Sequence, residues 1–533
     1  MPETGYLKNV LSLPVITNMR PAPPTVTPFD AASTVLDLMT KQNVGSVLVV
    51  ENNHPLGIVT EKDILQRVLN KGKNLELTLV KDIMSKPLVT IEAERTIADA
   101  LETLQKHNIR RLVITHEGTL VGLTTTRRLL EITQGYMMKD RGLLETDYDK
   151  GRRIRIAYVS TYPPRECGIA TYTKHLVDAT SAFCTDVVSS PLVVAINDRG
   201  GHYDYEVRVQ SQIEDNNVRS YEKVAEYLND SDIHVVNLQH EYGIFGGEWG
   251  EYVIELVQRI EKPIVTTLHT VLEEPVLKAK TILDNVLEHS DFVTVMARVG
   301  IGILEQQYGS YADKIRYIPH GCPNVPQLET AMTKQRLGLG DHLVLSTFGL
   351  LSRGKGIEYV VEALPQIKME HPDILYLIIG ETHPEVRKHE GENYRQSLLN
   401  LVESLGLQEN VGFVNRFLTE NELINYLQAT DVYVVPYPNR EQISSGTLAY
   451  ALSTGKAIVT TPFLHAQEVI SHGAALGCDF KNPQSIAESV NMLLKDNQIR
   501  QRLSRAAYDY SRAMIWPNVA MSYVNLFYRA LGL

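Results

Sequence analysis

The chain has 533 residues, which at roughly 150 residues per domain implies three or four domains. Hydrophobic residues make up 44% and charged residues 22%, a balance that excludes disordered, collagenous and coiled-coil classes. The formal charge, 52 − 63 = −11, argues against a nucleic-acid binder held by bulk electrostatics.

The N-terminus, MPETGYLKNVLSLPVI, lacks the basic start, apolar run and small-residue cleavage site of a secretion leader. No stretch approaches the ~18 apolar residues of a membrane span. Cys167, Cys184, Cys322 and Cys478 are scattered without a CxxC pair, which excludes a disulfide scaffold and a thiolate zinc site and fits a reducing compartment. A cytoplasmic protein is expected.

The first 140 residues repeat themselves. GSVLVVENNHPLGIVTEKDIL from Gly45 and IRRLVITHEGTLVGLTTTRRLL from Ile109 align with an offset of 65 residues, Gly57 on Gly122. Each copy predicts a strand, a turn, a second strand and a helix, and each follows a helical pattern, AASTVLDLMTKQN or TIADALETLQKHN. With the linking stretch DIMSKPLVTI, this order resembles a tandem pair of cystathionine-β-synthase-type (CBS) domains over residues 10–135, an α+β unit. The resemblance implies an adenine nucleotide (AMP, ADP or ATP) as effector. A Gly-x-x-Thr-x-x-Asp turn presents a hydroxyl and helix-start amides to phosphate and a carboxylate to ribose. Gly57, Thr60 and Asp63 supply it in the first repeat. The second reads Gly122, Thr125 and Arg128, so one regulatory site is expected rather than two. Thr60 and Asp63 equally suit the capping of the helix that follows. Residues 136–152, charged and without periodicity, read as a linker.

From Arg153 the pattern becomes short apolar runs alternating with helical segments: RIRIAYVS, SPLVVAI, IHVVNLQ, PIVTTLH and FVTVMA, then LVLSTFG, ILYLIIG, VGFVNR, VYVVPY and AIVTT. This is the signature of buried parallel sheets in two doubly wound domains, with a Pro-rich hinge at 318–330.

TYPPRECGIATYT, TLHT, IPHG, FGLLSRGKGIEYVVEAL and PYPNREQISSGTLAYALSTGKAIVTTPF, in that order, resemble a family 4 nucleotide-sugar glycosyltransferase. The resemblance implies the α/β GT-B fold, two Rossmann-like domains facing a cleft: an acceptor domain at 153–325, a donor domain at 326–510, and a C-terminal helix within 511–533 crossing back. It implies a retaining enzyme, independent of metal, that moves a hexosyl unit from a GDP-mannose or UDP-hexose type donor to a carbohydrate or lipid-linked acceptor. The departing phosphate itself serves as base in such enzymes, so no protein nucleophile is nominated. The open alternatives are a GT-B sugar phosphorylase and a non-catalytic nucleotide sensor with a decayed transferase half.

Leaving-group charge calls for cations and helix N-termini. Lys355 matches the family's phosphate-binding lysine. Leu350 stands at the usual arginine, and Arg353, three residues on, is the substitute. The family's Glu-x7-Glu positions fall on Gln442 and Tyr450, with Glu441 one residue early. Gln442 can still exchange hydrogen bonds with sugar hydroxyls. Ser444, Ser445, Gly446 and Thr447 enter the next helix and complete the donor set. In the first domain Gly168 permits close backbone approach to donor phosphate or acceptor. His269 ends a strand where, as the resemblance implies, a histidine bonds the donor sugar. Arg165, Glu166, His240 and Glu241 are acceptor candidates, and His320 with Gly321 shapes the inter-domain turn. A homodimer is expected, with the CBS pair modulating activity.

Overall fold

The computed structural model describes residues 14–15, 20–21, 24–41, 44–51, 54–107, 109, 111–116, 118–125, 129, 153–184 and 187–533. They divide into two compact units, residues 1–148 and 149–533.

The first unit is built twice. Strands β1 (Arg20–Pro21) and β2 (Thr25–Val26) precede the helix Ala32–Lys41, β3 (Ser46–Glu51), β4 (His54–Thr60) and the helix Glu61–Arg67. In the second copy β5 (Thr90–Glu92), the helix Ile97–Lys106, β6 (Arg111–His116) and β7 (Thr119–Thr125) follow in the same order. The antiparallel β3–β4 pair is bulged between Val49 and Val50, and β6–β7 is bulged 65 residues later between Ile114 and Thr115. β1 pairs with β7, so a strand from the start of the first repeat completes the sheet of the second. The helix expected after β7, Arg128 and the 136–152 linker lie outside the described residues.

The second unit holds two parallel sheets. The first comprises β8 (Ile156–Ser160), β9 (Leu192–Asn197), β10 (Val209–Glu214), β11 (Val235–His240), β12 (Ile264–Leu268), β13 (Phe292–Val295) and β14 (Ile315–Tyr317), in the order β10-β9-β8-β11-β12-β13-β14. Every residue of β8, β9, β11 and β12 is buried, because helices cover both faces; this is why these strands read as unbroken apolar runs. The second sheet comprises β15 (Leu343–Phe348), β16 (Ile374–Ile379), β17 (Val411–Val414), β18 (Val432–Val435), β19 (Ala457–Thr460) and β20 (Leu476–Gly477), in the order β17-β16-β15-β18-β19-β20. Strand order reverses at β8/β11 and at β15/β18, the positions where doubly wound sheets open a crevice at their carboxyl ends. This is the two-domain GT-B arrangement that the sequence implies.

The last helix, Trp516–Ala530, joins the core of the first of these domains, packing Trp516, Tyr523 and Phe527 with Ile156, Tyr158 and Tyr172. The buried Tyr523 hydroxyl exchanges hydrogen bonds with Tyr172 (3.0 Å), Thr267 (2.9 Å) and Thr294 (3.2 Å). Gly321 allows the approach: a Cβ there would stand 2.3 Å from the Trp516 ring.

Candidate active site

Where the carboxyl ends of the two sheets meet, side chains from both domains touch. Ser444 donates to the His269 carbonyl at 3.2 Å, Arg440 reaches Glu273 at 3.4 Å, and Lys388 pairs with Asp198.

The donor-domain side is built on the helix Gly446–Ser453. Ser445 caps it, its hydroxyl accepting from the Leu448 amide at 3.2 Å. The Tyr437 hydroxyl joins this cap to the candidate cation Lys355: it bonds Thr447 Oγ1 at 2.7 Å and Ser445 Oγ at 3.3 Å, and accepts from Lys355 Nζ at 2.9 Å. Burial pushes the Tyr437 phenol up, but Lys355 and the two hydroxyls outweigh it and hold the phenol below its ordinary value. Lys355 is aimed by a tight turn. Gly356 adopts φ +63°, and a Cβ on it would stand 2.1 Å from the Pro436 carbonyl oxygen. A Cβ on Gly349 would lie 3.4 Å from Thr447 and 3.6 Å from Lys355 Nζ, so this glycine backs the gap between them. A cation, a capped helix start and two hydroxyls thus converge on one point.

Opposite stands a ring cluster. His269 bonds Gln239 Oε1 through Nε2 at 2.8 Å and meets Tyr172 edge-on at 5.0 Å. His320 meets the same tyrosine at 5.0 Å. Its Nδ1 lies 2.7 Å from the Gly321 carbonyl oxygen and must donate to it, which leaves Nε2 bare beside Gly446. Burial, then His320 and His240, push His269 down to about 3; burial pushes His320 down to about 4. Both imidazoles are therefore neutral at pH 7.

The remaining candidates divide. Gly168 opens the helix Gly168–Phe183, with nothing within 4 Å of where a Cβ would stand. Arg165 turns towards β9 and donates to the Ile196 carbonyl at 2.8 Å, while Glu166 is exposed. His240 is fully buried, stacked 5.9 Å from Phe245, with no partner on either ring nitrogen. Glu241 accepts from Thr270 at 2.5 Å, and burial pushes its carboxyl up. Arg353 is exposed, its guanidinium 5.6 Å from the Tyr394 ring rather than in the Lys355 network. Gln442 folds onto the Ser444 carbonyl at 2.7 Å, and the Glu441 amide donates to Asn439 at 3.0 Å. The carboxylate brought to Tyr450 is Glu420, which accepts from its hydroxyl at 2.6 Å.

Sequence reading missed Tyr172, Tyr437 and His465. The His465 Nδ1 accepts from the Ser445 amide at 3.1 Å, fixing the loop before the Gly446 helix. Only the Pro-Tyr-Pro at the end of β18 carried a signal, a rigid strand exit that aims Tyr437 inward.

In the CBS unit Thr60 and Asp63 form a capping box. One Asp63 oxygen accepts from Thr60 N (2.9 Å) and Oγ1 (2.6 Å), and the other from Ser85 (3.0 Å) and Arg67 (3.2 Å). A Cβ on Gly57 would press on Met84 and the Ser85 carbonyl oxygen. Among the described residues, the trio spaced to share a cation, Glu92, Glu94 and His116, lies in this unit and not in the cleft. No described helix is long and apolar enough to cross a membrane.

Known families match separate parts of the chain. Residues 331–510 match the family "Glycosyl transferases group 1", and residues 11–70 and 80–135 each match the CBS domain family. The D-inositol 3-phosphate glycosyltransferase of Corynebacterium urealyticum is 28% identical over 46% of this chain and 58% of its own length. The CBS domain-containing protein YhcV of Bacillus subtilis is 34% identical over 19% of this chain and 70% of its own. Anabaena HepE, solved with UDP, superposes with a TM-score of 0.56 at 15% identity, covering 70% of this chain and all of HepE. The chain spans little more than half the length of most of the curated relatives it matches. It belongs to the CBS-domain family through its N-terminal repeats and carries, over residues 331–510, a domain of the group 1 glycosyl transferases.

Proposed function

We propose that this protein is a retaining glycosyltransferase that moves a hexosyl unit from a nucleotide-diphosphate sugar, of GDP-mannose or UDP-hexose type, to a carbohydrate or lipid-linked acceptor. The observation that carries the reading is the convergence of Lys355, Thr447 and the Ser445-capped helix start on one point backed by Gly349. A fixed cation and a helix dipole there stabilise the additional negative charge that develops on a departing diphosphate. The UDP held by HepE, which shares the fold, is consistent with such a ligand.

Neutral His269 and His320 face this point from the first domain. His320 Nε2, a bare acceptor, takes a hydrogen bond from a sugar hydroxyl without adding charge. Ser444 ties the His269 carbonyl to the donor loop, so closure of the cleft positions donor and ring cluster together. No protein nucleophile or metal enters this scheme; loss of turnover in EDTA with rescue by Mg2+ would contradict it. The CBS pair binds an adenine nucleotide at Gly57, Thr60 and Asp63 and modulates transfer within a homodimer. The nucleotide must compete with Ser85 and Arg67 for the Asp63 carboxylate.

The test is a donor-hydrolysis and binding screen of the full chain against GDP-, UDP- and ADP-sugars, with and without AMP or ATP. Selective release of one nucleoside diphosphate, at a rate that adenine nucleotide changes, is the expected result. Silence with every donor would overturn the transferase reading, and a rate indifferent to nucleotide would overturn the regulatory one.

A further inference from the structure

In the CBS unit, away from the cleft, the second repeat brings three metal-ligating side chains together. Glu92 ends β5, Glu94 lies in the turn that follows, and His116 ends β6. Their ligand atoms all lie within 4.8 Å of one another. The backbone sets this spacing. Glu92 is in register with Thr115 on the parallel β5–β6 ladder. The Arg95 amide closes the turn on the Glu92 carbonyl at 3.0 Å, and the Ala93 amide ties it to the Thr115 carbonyl at 2.7 Å.

The side chains are aimed as well. From outside the trio, the Thr115 hydroxyl donates to Glu92 Oε1 at 2.8 Å and holds that carboxylate towards β6. His116 Nδ1 lies 2.6 Å from Glu94 Oε1. Arg95, next in the chain, pairs with Asp99 at 3.1 Å instead.

The first repeat shows that this corner folds without such a set. Its β2–β3 ladder has the same parallel register, Thr25 with Leu48 and Val26 with Val49. Sixty-five residues before the trio stand Thr27, Phe29 and Glu51. Phe29 is 65% exposed there, with the Lys81 ammonium 4.9 Å from its ring centroid. The fold therefore needs neither the imidazole nor the pair of carboxylates, and the second repeat carries them in addition.

We propose that Glu92, Glu94 and His116 bind a divalent transition-metal ion of the Zn2+ type, at a site separate from the Gly57–Asp63 turn. Two carboxylates balance the charge of a dication, and the imidazole nitrogen favours Zn2+ over Mg2+ and Ca2+, which seek oxygen. Bonds of about 2.0–2.2 Å put tetrahedral ligand atoms about 3.4 Å apart, a contraction that rotation of the two exposed glutamates supplies. The metal takes the Nδ1 position, so the hydrogen that His116 directs at Glu94 leaves or moves to Nε2. Water completes the coordination. The ion clamps the edge strand β5 and its turn to β6, which stabilises the second repeat whenever metal is present. It takes no part in transfer, and the proposal stands apart from the transferase reading.

The test is calorimetric titration of the metal-free full chain with Zn2+, with Mg2+ and Ca2+ as comparisons. Wild type is set against His116→Ala and Glu94→Gln, with the melting of the metal-free proteins as the check on folding. Wild type should bind Zn2+ roughly tenfold or more tightly than Mg2+ or Ca2+, and should melt at a higher temperature with Zn2+ present. Each variant should lose roughly tenfold or more of that affinity, together with the rise in melting temperature. Binding that both variants retain in full would put the ion on other side chains and overturn the proposal. Absence of Zn2+ binding to wild type, or equal affinity for Mg2+ or Ca2+, would overturn it too. Donor turnover bears on the transferase reading alone, since none of the three residues lies in the cleft.

Discussion

The Lys355 ammonium lies 2.9 Å from the Tyr437 hydroxyl and 4.6 Å from the centroid of the same ring. One tyrosine thus takes a hydrogen bond and a cation–π contact from one lysine, and passes the hydrogen bond on to Thr447, at the start of the Gly446 helix. Lys355→Ala should cut turnover by at least tenfold, since charge-assisted contacts are worth about 1.5–3 kcal/mol. Tyr437→Phe keeps the cation and the ring and should cost less. Steady-state kinetics checks both; near-normal turnover of the Ala variant would reject the assignment.

Gly321 and Trp516 fix the return of the last helix. A methyl group on Gly321 would meet the indole at 2.3 Å, with the ring packed against Tyr172 and His320 and unable to retreat freely. Gly321→Ala should cost about 3 kcal/mol. Gly309→Ala, where nothing stands within 4 Å, should be near neutral. Urea unfolding followed on the transferase half compares them, and equal midpoints would refute the packing argument.

Burial pushes His240 and His320 down to about 4, and His269 and His465 to about 3. In the unfolded chain they titrate near 6.5, so the unfolded state binds more protons below that pH. Their contribution to stability is complete above pH 6.5 and is lost as pH falls towards 4, by up to about 1.4 kcal/mol per pH unit for each histidine. Asp509, pushed up to about 6 by burial, and Glu241, also raised, work in the opposite direction, but the histidines outnumber them. Unfolding between pH 7 and 4.5 should show stability falling with acid, with a shallower slope in His240→Leu. A flat profile would contradict the burial of these rings.

Asp63 divides its two oxygens between Thr60 on one side and Ser85 and Arg67 on the other. Asp63→Asn should destabilise the CBS unit by about 1–2 kcal/mol through the weakened cap and broken ion pair. It should also abolish any rise in melting temperature produced by AMP, ADP or ATP in wild type. A nucleotide-induced rise that persists in the variant would move the nucleotide away from this carboxylate.

The repeats were legible because each carries the same apolar alternation, and even the bulge recurs 65 residues on. The parallel sheets were legible because β8, β9, β11 and β12 are buried on both faces. β10 escaped notice: as an edge strand it exposes Gln210, Gln212 and Glu214 and reads as polar. Lys355, Ser445 and Thr447 stood out because turn glycines and helix starts are local features. Tyr172, Tyr437 and His465 did not, since their roles arise from contacts with residues distant in the chain. Gln442 was placed by motif position and Arg353 as a substitute three residues beyond the motif's arginine, and in the fold each side chain engages a different neighbour, the Ser444 carbonyl and Tyr394.

Diphosphate recognition at Lys355 and the Gly446 helix is the step on which donor use depends, and its most direct measurement needs no acceptor. Equilibrium binding of UDP and GDP to the full chain, wild type against Lys355→Ala, isolates that step. One nucleoside diphosphate should bind wild type and lose roughly tenfold or more in affinity without the lysine. Equal affinity in the two proteins, or no binding of either nucleotide to wild type, would contradict the account.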